Sequence, residues 1–101
     1  MEIKISHENI ELTQAIKNYV EEKFAKLEKF MPQIVSVEVR LGKSTNHHMK
    51  GNVFECKANV SYPGGMFRAE EVGDDLYRAI TDAEKTIQRQ VNEFKESHRN
   101  H

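Results

Sequence analysis

The sequence predicts a single α+β domain in which a four-stranded mixed sheet carries two helices on one face. Apolar residues recur at three- and four-residue steps in two long segments, which is typical of amphipathic helices, and at every second residue in shorter ones, which is typical of half-buried strands. The order of the segments is β-α-β-β-β-α. Short connections favour a right-handed crossover with the first two strands parallel, followed by an antiparallel meander. Because each strand has one apolar side, both helices are expected on the same face.

Composition places the chain among folded, water-soluble proteins. Of its 101 residues, 38% are hydrophobic and 31% charged, which suits one domain, predicted over residues 1–96 with a short tail at 97–101. No apolar run approaches the roughly 20 residues of a membrane-spanning helix. The N-terminus lacks the apolar segment of a signal peptide, and the single cysteine agrees with a reducing compartment, so we expect a cytoplasmic protein without a membrane partner. The net charge of -1 does not by itself indicate nucleic-acid binding.

The first strand and the first helix are predicted before residue 31. Glu2 to Ser6 alternates between polar and apolar residues, as a half-buried strand does. Thr13 suits the N-cap of a helix, and Pro32 cannot continue one, so the helix is predicted over 13–30. The apolar residues that recur at helical spacing are Leu12, Ile16, Tyr19, Val20, Phe24, Leu27 and Phe30.

The second strand is predicted from Ile34 to Lys43, where the period of the apolar residues changes to two. Its apolar side is formed by Val35, Val37, Val39 and Leu41. The next segment, Ser44 to Asn52, has no period and is rich in turn-forming residues, which predicts an exposed loop.

The third and fourth strands are predicted as a hairpin. Val53 to Tyr62 alternates again, and the segment Pro63 to Gly65 suits a tight reversal, because proline restricts one dihedral angle and glycine tolerates positive φ. Met66 to Val72 then pairs back as the fourth strand, with Phe67 and Ala69 available to the core.

The last helix is predicted from Gly73 to Lys95. Asp74 or Asp75 can cap it, because a carboxylate accepts bonds from the free backbone N–H groups of the first turn. Its apolar stripe comprises Leu76, Ile80, Ala83, Ile87, Val91 and Phe94.

The sequence contains no recognisable catalytic or metal-binding motif. His47 and His48 are adjacent and point apart on an extended loop, and Cys56 lies on an apolar strand side, where a buried and unreactive thiol is expected. Asp74 and Asp75 offer a carboxylate pair for acid–base chemistry, but helix capping explains them more simply. We therefore expect no enzyme, no metal site, no cofactor and no small-molecule substrate.

Basic residues on the last helix are candidates for a binding surface. Arg78, Lys85 and Arg89 are spaced by seven and four residues, which places three cations nearly in line along the solvent face. Acidic residues are interspersed among them. Spacing alone therefore leaves open whether these cations bind phosphates or form weak pairs within the helix.

Three lysines of the first helix extend this candidate surface. Lys26 and Lys29 flank the apolar stripe, whereas Lys23 falls within it by helical angle. Lys23 either covers the edge of the core with its methylenes while its ammonium reaches water, or is itself a cation held where the two helices meet and directed at a phosphate. Pairing such as Glu22 with Lys26 is the alternative to a phosphate contact.

Several segments carry a family resemblance when they are taken together, in order and at their spacing. They are N-I-E-L-T-Q-A-I from Asn9 to Ile16, V-E-E-K-F-A-K-L-E-K-F from Val20 to Phe30, G-G-M-F-R-A from Gly64 to Ala69, and D-L-Y-R-A-I from Asp75 to Ile80 followed by R-Q-V from Arg89 to Val91. With them the whole chain resembles the ribosome hibernation promoting factor and ribosome-associated inhibitor family, also called sigma-factor modulation proteins.

The resemblance implies a fold related to double-stranded RNA-binding domains and a function without catalysis. Such proteins bind the small ribosomal subunit in the channel used by mRNA and tRNA, contact ribosomal RNA through basic residues of both helices, and stop translation. Short members also promote pairing of inactive ribosomes, whereas others carry a C-terminal extension or a dimerising domain. Only Glu96 to His101 follow the predicted helix, so the chain resembles the short type. The older name supports an alternative, a cytosolic protein-interaction module that modulates a sigma factor or the transcription machinery.

The resemblance also identifies site residues by position. Lys23, Lys26 and Lys29 match basic positions of the family on the first helix, and Arg89 matches one on the second. The predicted rRNA-binding residues are Lys23, Lys26, Lys29, Arg78, Lys85, Arg89 and Lys95.

The chain departs from the family pattern at a few positions of the last helix. Thr86 and Glu93 stand where many members have lysine, and Thr81 stands where an acidic or amide residue is usual. Fewer phosphate contacts imply weaker and less salt-sensitive binding, for which Lys85 and Lys95 are expected to compensate.

Overall fold

A computed structural model of the protein describes residues 1–44 and 53–98. The elements are β1 (Glu2–Glu8), α1 (Gln14–Ala25), α2 (Leu27–Phe30), β2 (Ser36–Ser44), β3 (Val53–Tyr62), β4 (Gly65–Gly73) and α3 (Leu76–Ser97). Ser44 ends β2 instead of beginning the predicted loop, because it pairs with Val53. The rest of that loop, with His47 and His48, and the last three residues of the predicted tail lie outside the described residues. No helix in the described part is long and apolar enough to cross a membrane.

The four strands form one mixed sheet in the order β1-β2-β3-β4. β1 and β2 are parallel, and the other two pairs are antiparallel. The register places Ile5, Val39, Ala58 and Ala69 opposite one another across the four strands, so the apolar positions of all strands share one face. The predicted α+β class and the mixed topology are confirmed.

The core lies between that apolar face and the helices. Fully buried side chains come from both layers, and the largest of them are Phe24, Leu27, Leu41, Ile80, Ile87, Val20, Val37, Val39, Val60, Val91 and Cys56. The alternate residues of the strands, among them Lys4, Glu38 and Arg68, form an open face away from the helices. One sheet face is therefore packed and the other is open to solvent, as the alternation of each strand predicts.

The predicted start of the first helix is confirmed, but the predicted single helix is divided at Lys26 into α1 and α2. The side chain of Thr13 caps α1 by accepting a hydrogen bond from the Ile16 N–H at 3.2 Å. At Lys26 the bonding changes, because the N–H of Lys29 donates to the Lys26 carbonyl three residues earlier, at 3.1 Å. This tighter turn separates α1 from the short helix α2 without turning the chain away from the sheet.

The start of α3 resolves the alternative between two aspartates. Asp75 is the N-cap, and its carboxylate accepts a hydrogen bond from the Tyr77 N–H at 2.8 Å. Further along, the side-chain amide of Gln90 donates to the Arg68 carbonyl at 2.7 Å and accepts from the Arg68 N–H at 3.3 Å. Gln90 thereby satisfies backbone groups on the outer edge of β4 and holds α3 to that edge.

The prediction that Val35 shares the apolar side of the second strand is wrong. Val35 is 58% exposed, whereas Ile34 is 4% exposed and occupies the core. The N–H of Ile34 donates to the Met31 carbonyl at 3.2 Å, and β2 begins only at Ser36. The turn before the strand therefore breaks the period of two, and Ile34 takes the buried position.

We expect Phe24→Ala to lower the free energy of unfolding by about 3–5 kcal/mol, because the Phe24 ring is fully buried and leaves a cavity. The matched control is Phe30→Ala, since Phe30 is 37% exposed and its loss should cost less than about 2 kcal/mol. Urea unfolding of both variants measures the difference. Equal losses of stability would contradict the assigned burial.

Candidate nucleic-acid interface

The helices lie side by side and run in the same direction. Near their beginnings the Tyr19 hydroxyl and the Thr81 hydroxyl form a hydrogen bond at 2.6 Å. Near their ends the Lys95 ammonium donates to the Phe30 carbonyl at 3.0 Å. These two contacts fix which turns of α1 and α2 face which turns of α3.

Tyr19 anchors the junction between α1 and α3. Besides its bond to Thr81, its ring meets the Tyr77 ring edge-on, with centroids 4.9 Å apart and an interplanar angle of 89°. Edge-to-face aromatic pairs are favourable because the positive edge of one ring meets the negative face of the other. The flank of α1 that carries Tyr19 therefore faces α3.

Lys23 lies one turn after Tyr19 on this flank. It is half-buried, and its ammonium lies 5.3 Å from the centroid of the Tyr19 ring, within the range of a cation–π contact. Lys26 follows and is exposed. This geometry agrees with the second interpretation of Lys23, a cation held where the helices meet. The ion pairs within residues 1–44 and 53–98 do not include one between Glu22 and Lys26.

Glu84 is a residue of this junction that the sequence interpretation missed. It is 5% exposed, although it is charged and has no hydrogen bond within the described residues. Burial raises the pKa of its carboxyl above the usual value, and the charges of Lys26, Lys23 and Lys85 partly oppose that rise. A signal was present, because Glu84 follows Ile80 by four residues and precedes Ile87 by three, which is the spacing of the apolar stripe itself.

The outer face of α3 carries the three cations predicted there. Arg78, Lys85 and Arg89 are all exposed. Arg89 pairs with Glu93 at 3.9 Å, but both side chains are about 70% exposed, so water weakens this pair. The line of cations thus remains available to an external anion.

The two remaining predicted residues lie at the far end of the helices. Lys29 is exposed on α2, and Lys95 is exposed on α3 while its ammonium bonds to the Phe30 carbonyl. A cation at this position satisfies a free carbonyl and opposes the negative end of the α2 dipole. Lys95 therefore has a structural contact in addition to its predicted role. Lys23, Lys26 and Lys85 lie close enough to Glu84 for their charges to oppose the rise in its pKa that burial causes, and the other cations lie along both helices.

Cys56 and the metal-ligating side chains of the described residues were the candidates for chemistry. Cys56 is buried, and burial, with the nearby charge of Glu71, raises the pKa of its thiol to about 12, so the reactive thiolate is disfavoured. No group of three or more His, Cys, Asp or Glu residues is placed to hold a metal ion in the described ranges.

One cavity of about 550 Å³ lies near the N-terminus of α3. It is lined by Asn9, Ile10, Glu11, Ile16, Lys43, Phe54, Asp74, Asp75, Leu76 and Tyr77. None of the seven predicted binding residues reaches it, and Asp75 in its wall caps α3. The cavity and the cationic helix surface are therefore separate features.

Similarity to known proteins relates the chain to ribosome-associated factors. A profile of the family described as "Sigma 54 modulation protein / S30EA ribosomal protein" matches residues 3–99. A ribosome hibernation promotion factor of Deinococcus radiodurans is 37% identical over 93 residues, which make up 91% of this chain and 48% of that protein. The chain thus spans about half the length of that relative. A ribosome-associated factor Y of Haemophilus influenzae is 32% identical over 94 residues, or 93% of this chain and 82% of that protein.

A solved structure supports the same relationship. The N-terminal domain of Protein Y from Thermus thermophilus superposes with a TM-score of 0.78 at 34% sequence identity, covering 93% of this chain and 99% of that domain. The names of the relatives from Deinococcus radiodurans and Haemophilus influenzae describe ribosome-associated factors.

A double-mutant cycle of Tyr19→Phe and Thr81→Val should show a coupling of roughly 0.5–1.5 kcal/mol in the free energy of unfolding, because each variant removes one partner of the same hydrogen bond. The control cycle uses Tyr77→Phe in place of Tyr19→Phe and should show no such coupling, since the Tyr77 hydroxyl has no hydrogen bond within the described residues. A coupling of zero between Tyr19 and Thr81, measured by urea unfolding, would contradict the conclusion that this hydrogen bond stabilises the junction between the helices.

Proposed function

The chain belongs to the Sigma 54 modulation protein / S30EA ribosomal protein family, and on this premise we propose that it is a ribosome hibernation factor without catalytic activity. In this proposal it acts in the cytoplasm, binds the small ribosomal subunit in the channel used by mRNA and tRNA, and stops translation while it is bound. It also promotes pairing of inactive ribosomes. The names of the relatives from Deinococcus radiodurans and Haemophilus influenzae support the ribosome as partner.

The observation that carries the proposal is the gathering of cations on two parallel helices. Lys23 of α1, Lys26 at the C-cap of α1 and Lys85 of α3 all lie near Glu84, and Arg78 and Arg89 continue the surface along α3. Phosphates of an RNA backbone repeat along a line, so cations in rows can contact several of them and release their counterions. The proposed rRNA-binding residues are Lys23, Lys26, Lys29, Arg78, Lys85, Arg89 and Lys95.

The open face of the sheet is a poorer surface for RNA. Arg40 on β2 already pairs with Glu8 on β1 at 2.8 Å, and Lys4 lies 4.0 Å from Glu2. Alternating charges of this kind cancel over the distance of a few side chains and attract a polyanion weakly. The helix surface is therefore proposed as the side that meets RNA, through its shape and charge and without reading base sequence.

Replacing Lys23, Lys26 and Arg89 by glutamine should reduce binding to purified small subunits roughly tenfold or more at low salt. The slope of log affinity against log salt should also become less negative by roughly 2 to 3, because three phosphate contacts are lost. Co-sedimentation with small subunits, large subunits and whole ribosomes across a salt series measures both quantities.

The matched control replaces Lys4, Lys57 and Arg68 by glutamine, which changes the net charge equally on the open face of the sheet. This control should bind nearly as well as the wild type. If both triple variants lost binding equally, the helix surface would not be the RNA site. If the wild type did not bind any ribosomal particle at low salt, the hibernation function itself would be contradicted, and copurification with a sigma factor without RNA would support the alternative.

A further inference from the structure

Glu84 is an acidic residue that the proposed RNA interface does not explain. Acidic side chains are seldom buried unless they are paired, yet Glu84 is 5% exposed on a helix that has exposed positions in every turn. It lies in the junction between α1 and α3 and not in the apolar contact with the sheet. The residues around Glu84 must therefore be identified to explain why an acidic side chain is buried here.

The register of the two helices identifies Lys23 as one of those residues without reference to any pKa. The Tyr19–Thr81 hydrogen bond at 2.6 Å aligns one turn of α1 with one turn of α3. Lys23 lies four residues after Tyr19, and Glu84 lies three residues after Thr81, so both lie one turn further along the facing flanks of two helices that run in the same direction. The interaction of Glu84 with the charges of Lys26, Lys23 and Lys85 agrees with this placement.

We propose that Glu84 is an internal counter-charge that competes with an RNA phosphate for Lys23 and Lys26 and thereby limits the affinity of the interface. The inference rests on the proposed function, because it assigns a role within the same RNA-binding surface. In the free protein the carboxylate balances part of the lysine charge. In the complex it remains between the helices, close to the bound phosphate, and repels it.

The enclosure of Glu84 makes this repulsion effective. A surface glutamate can turn away from an arriving phosphate, and water then screens its charge. Only 5% of Glu84 is exposed, and the register set by the Tyr19–Thr81 bond places it against α1, so its side chain has little room to turn away from the lysines. Arg89 and Glu93 provide a contrast, since both side chains of that pair are about 70% exposed and can separate when RNA binds.

The test compares Glu84→Gln with the wild type in binding to purified small ribosomal subunits. Removing one negative charge next to the bound phosphate should tighten binding by a factor on the order of ten at low salt, and by less at high salt. Glu70→Gln, on the open face of the sheet, is the control with the same change in net charge and should leave affinity unchanged. A Glu84→Gln variant that binds as the wild type does, or more weakly, would overturn the counter-charge role.

A combined variant identifies the residues through which Glu84 acts. If Lys23 and Lys26 are also replaced by glutamine, the increase in affinity caused by Glu84→Gln should fall severalfold. The two lysines for which Glu84 and the phosphate compete are then absent. An undiminished gain would mean that Glu84 acts on RNA through general repulsion, which would also overturn the proposal. If wild type and Glu84→Gln both failed to bind any particle, the proposed function would fail, whereas tight wild-type binding without a Glu84 effect would contradict only this inference.

Unfolding measurements supply a readout that needs no ribosome. Glu84 binds its proton more tightly in the folded than in the unfolded chain, because burial raises its pKa. The wild type should therefore lose stability relative to Glu84→Gln as the pH rises from the usual carboxyl value through the raised pKa, and should regain it on acidification. The charged groups around Glu84 are Lys23 on α1, Lys26 at the C-cap of α1 and Lys85 on α3. Parallel stability curves of the two proteins would show that the carboxylate is not held between the helices.

Discussion

The packing of α3 on the four-stranded sheet is the constraint on which the rest of the molecule depends. Ile80, Ala83, Ile87 and Val91 are fully buried along one side of this helix. Because a helix repeats every 3.6 residues, burying this stripe leaves the opposite side in solvent. The same packing that forms the core therefore presents a row of cations outward, and the proposed binding surface needs no separate structural element to support it.

The contact between the helices adds a second level of organisation. The sheet gives α1 and α3 a common support, but it does not determine which of their side chains meet. That is set by the Tyr19–Thr81 bond and, at the other end, by the Lys95 contact with the Phe30 carbonyl. These contacts bring Glu84 among lysines of both helices. A chain with a net charge of -1 can thus place cations of both helices near one another, as the proposed RNA interface requires.

Local patterns predicted the elements of the fold well and failed where a neighbouring segment intervened. The Thr13 cap follows from preferences that act within one turn, and it is observed. Val35 follows the same alternation as Val37, yet it is exposed, because the turn at Met31 moves Ile34 into the core before the strand begins. The seven predicted binding residues lie along the helices, but their spacing did not reveal that Lys95 contacts α2.

The sequence by itself determined the order of helices and strands, the mixed α+β sheet with one packed face and the stripe of α3, because apolar periodicity needs only a nearby surface to cover. Tertiary structure alone decided that Asp75 and not Asp74 caps α3, that Lys23 lies over Tyr19 at the helix junction, and that Glu84 is buried beside it. Contacts between helices depend on the relative position of segments some 60 residues apart, as in the hydrogen bond between Tyr19 and Thr81. A periodic pattern reports which side of a helix is buried, but not what lies against its flank.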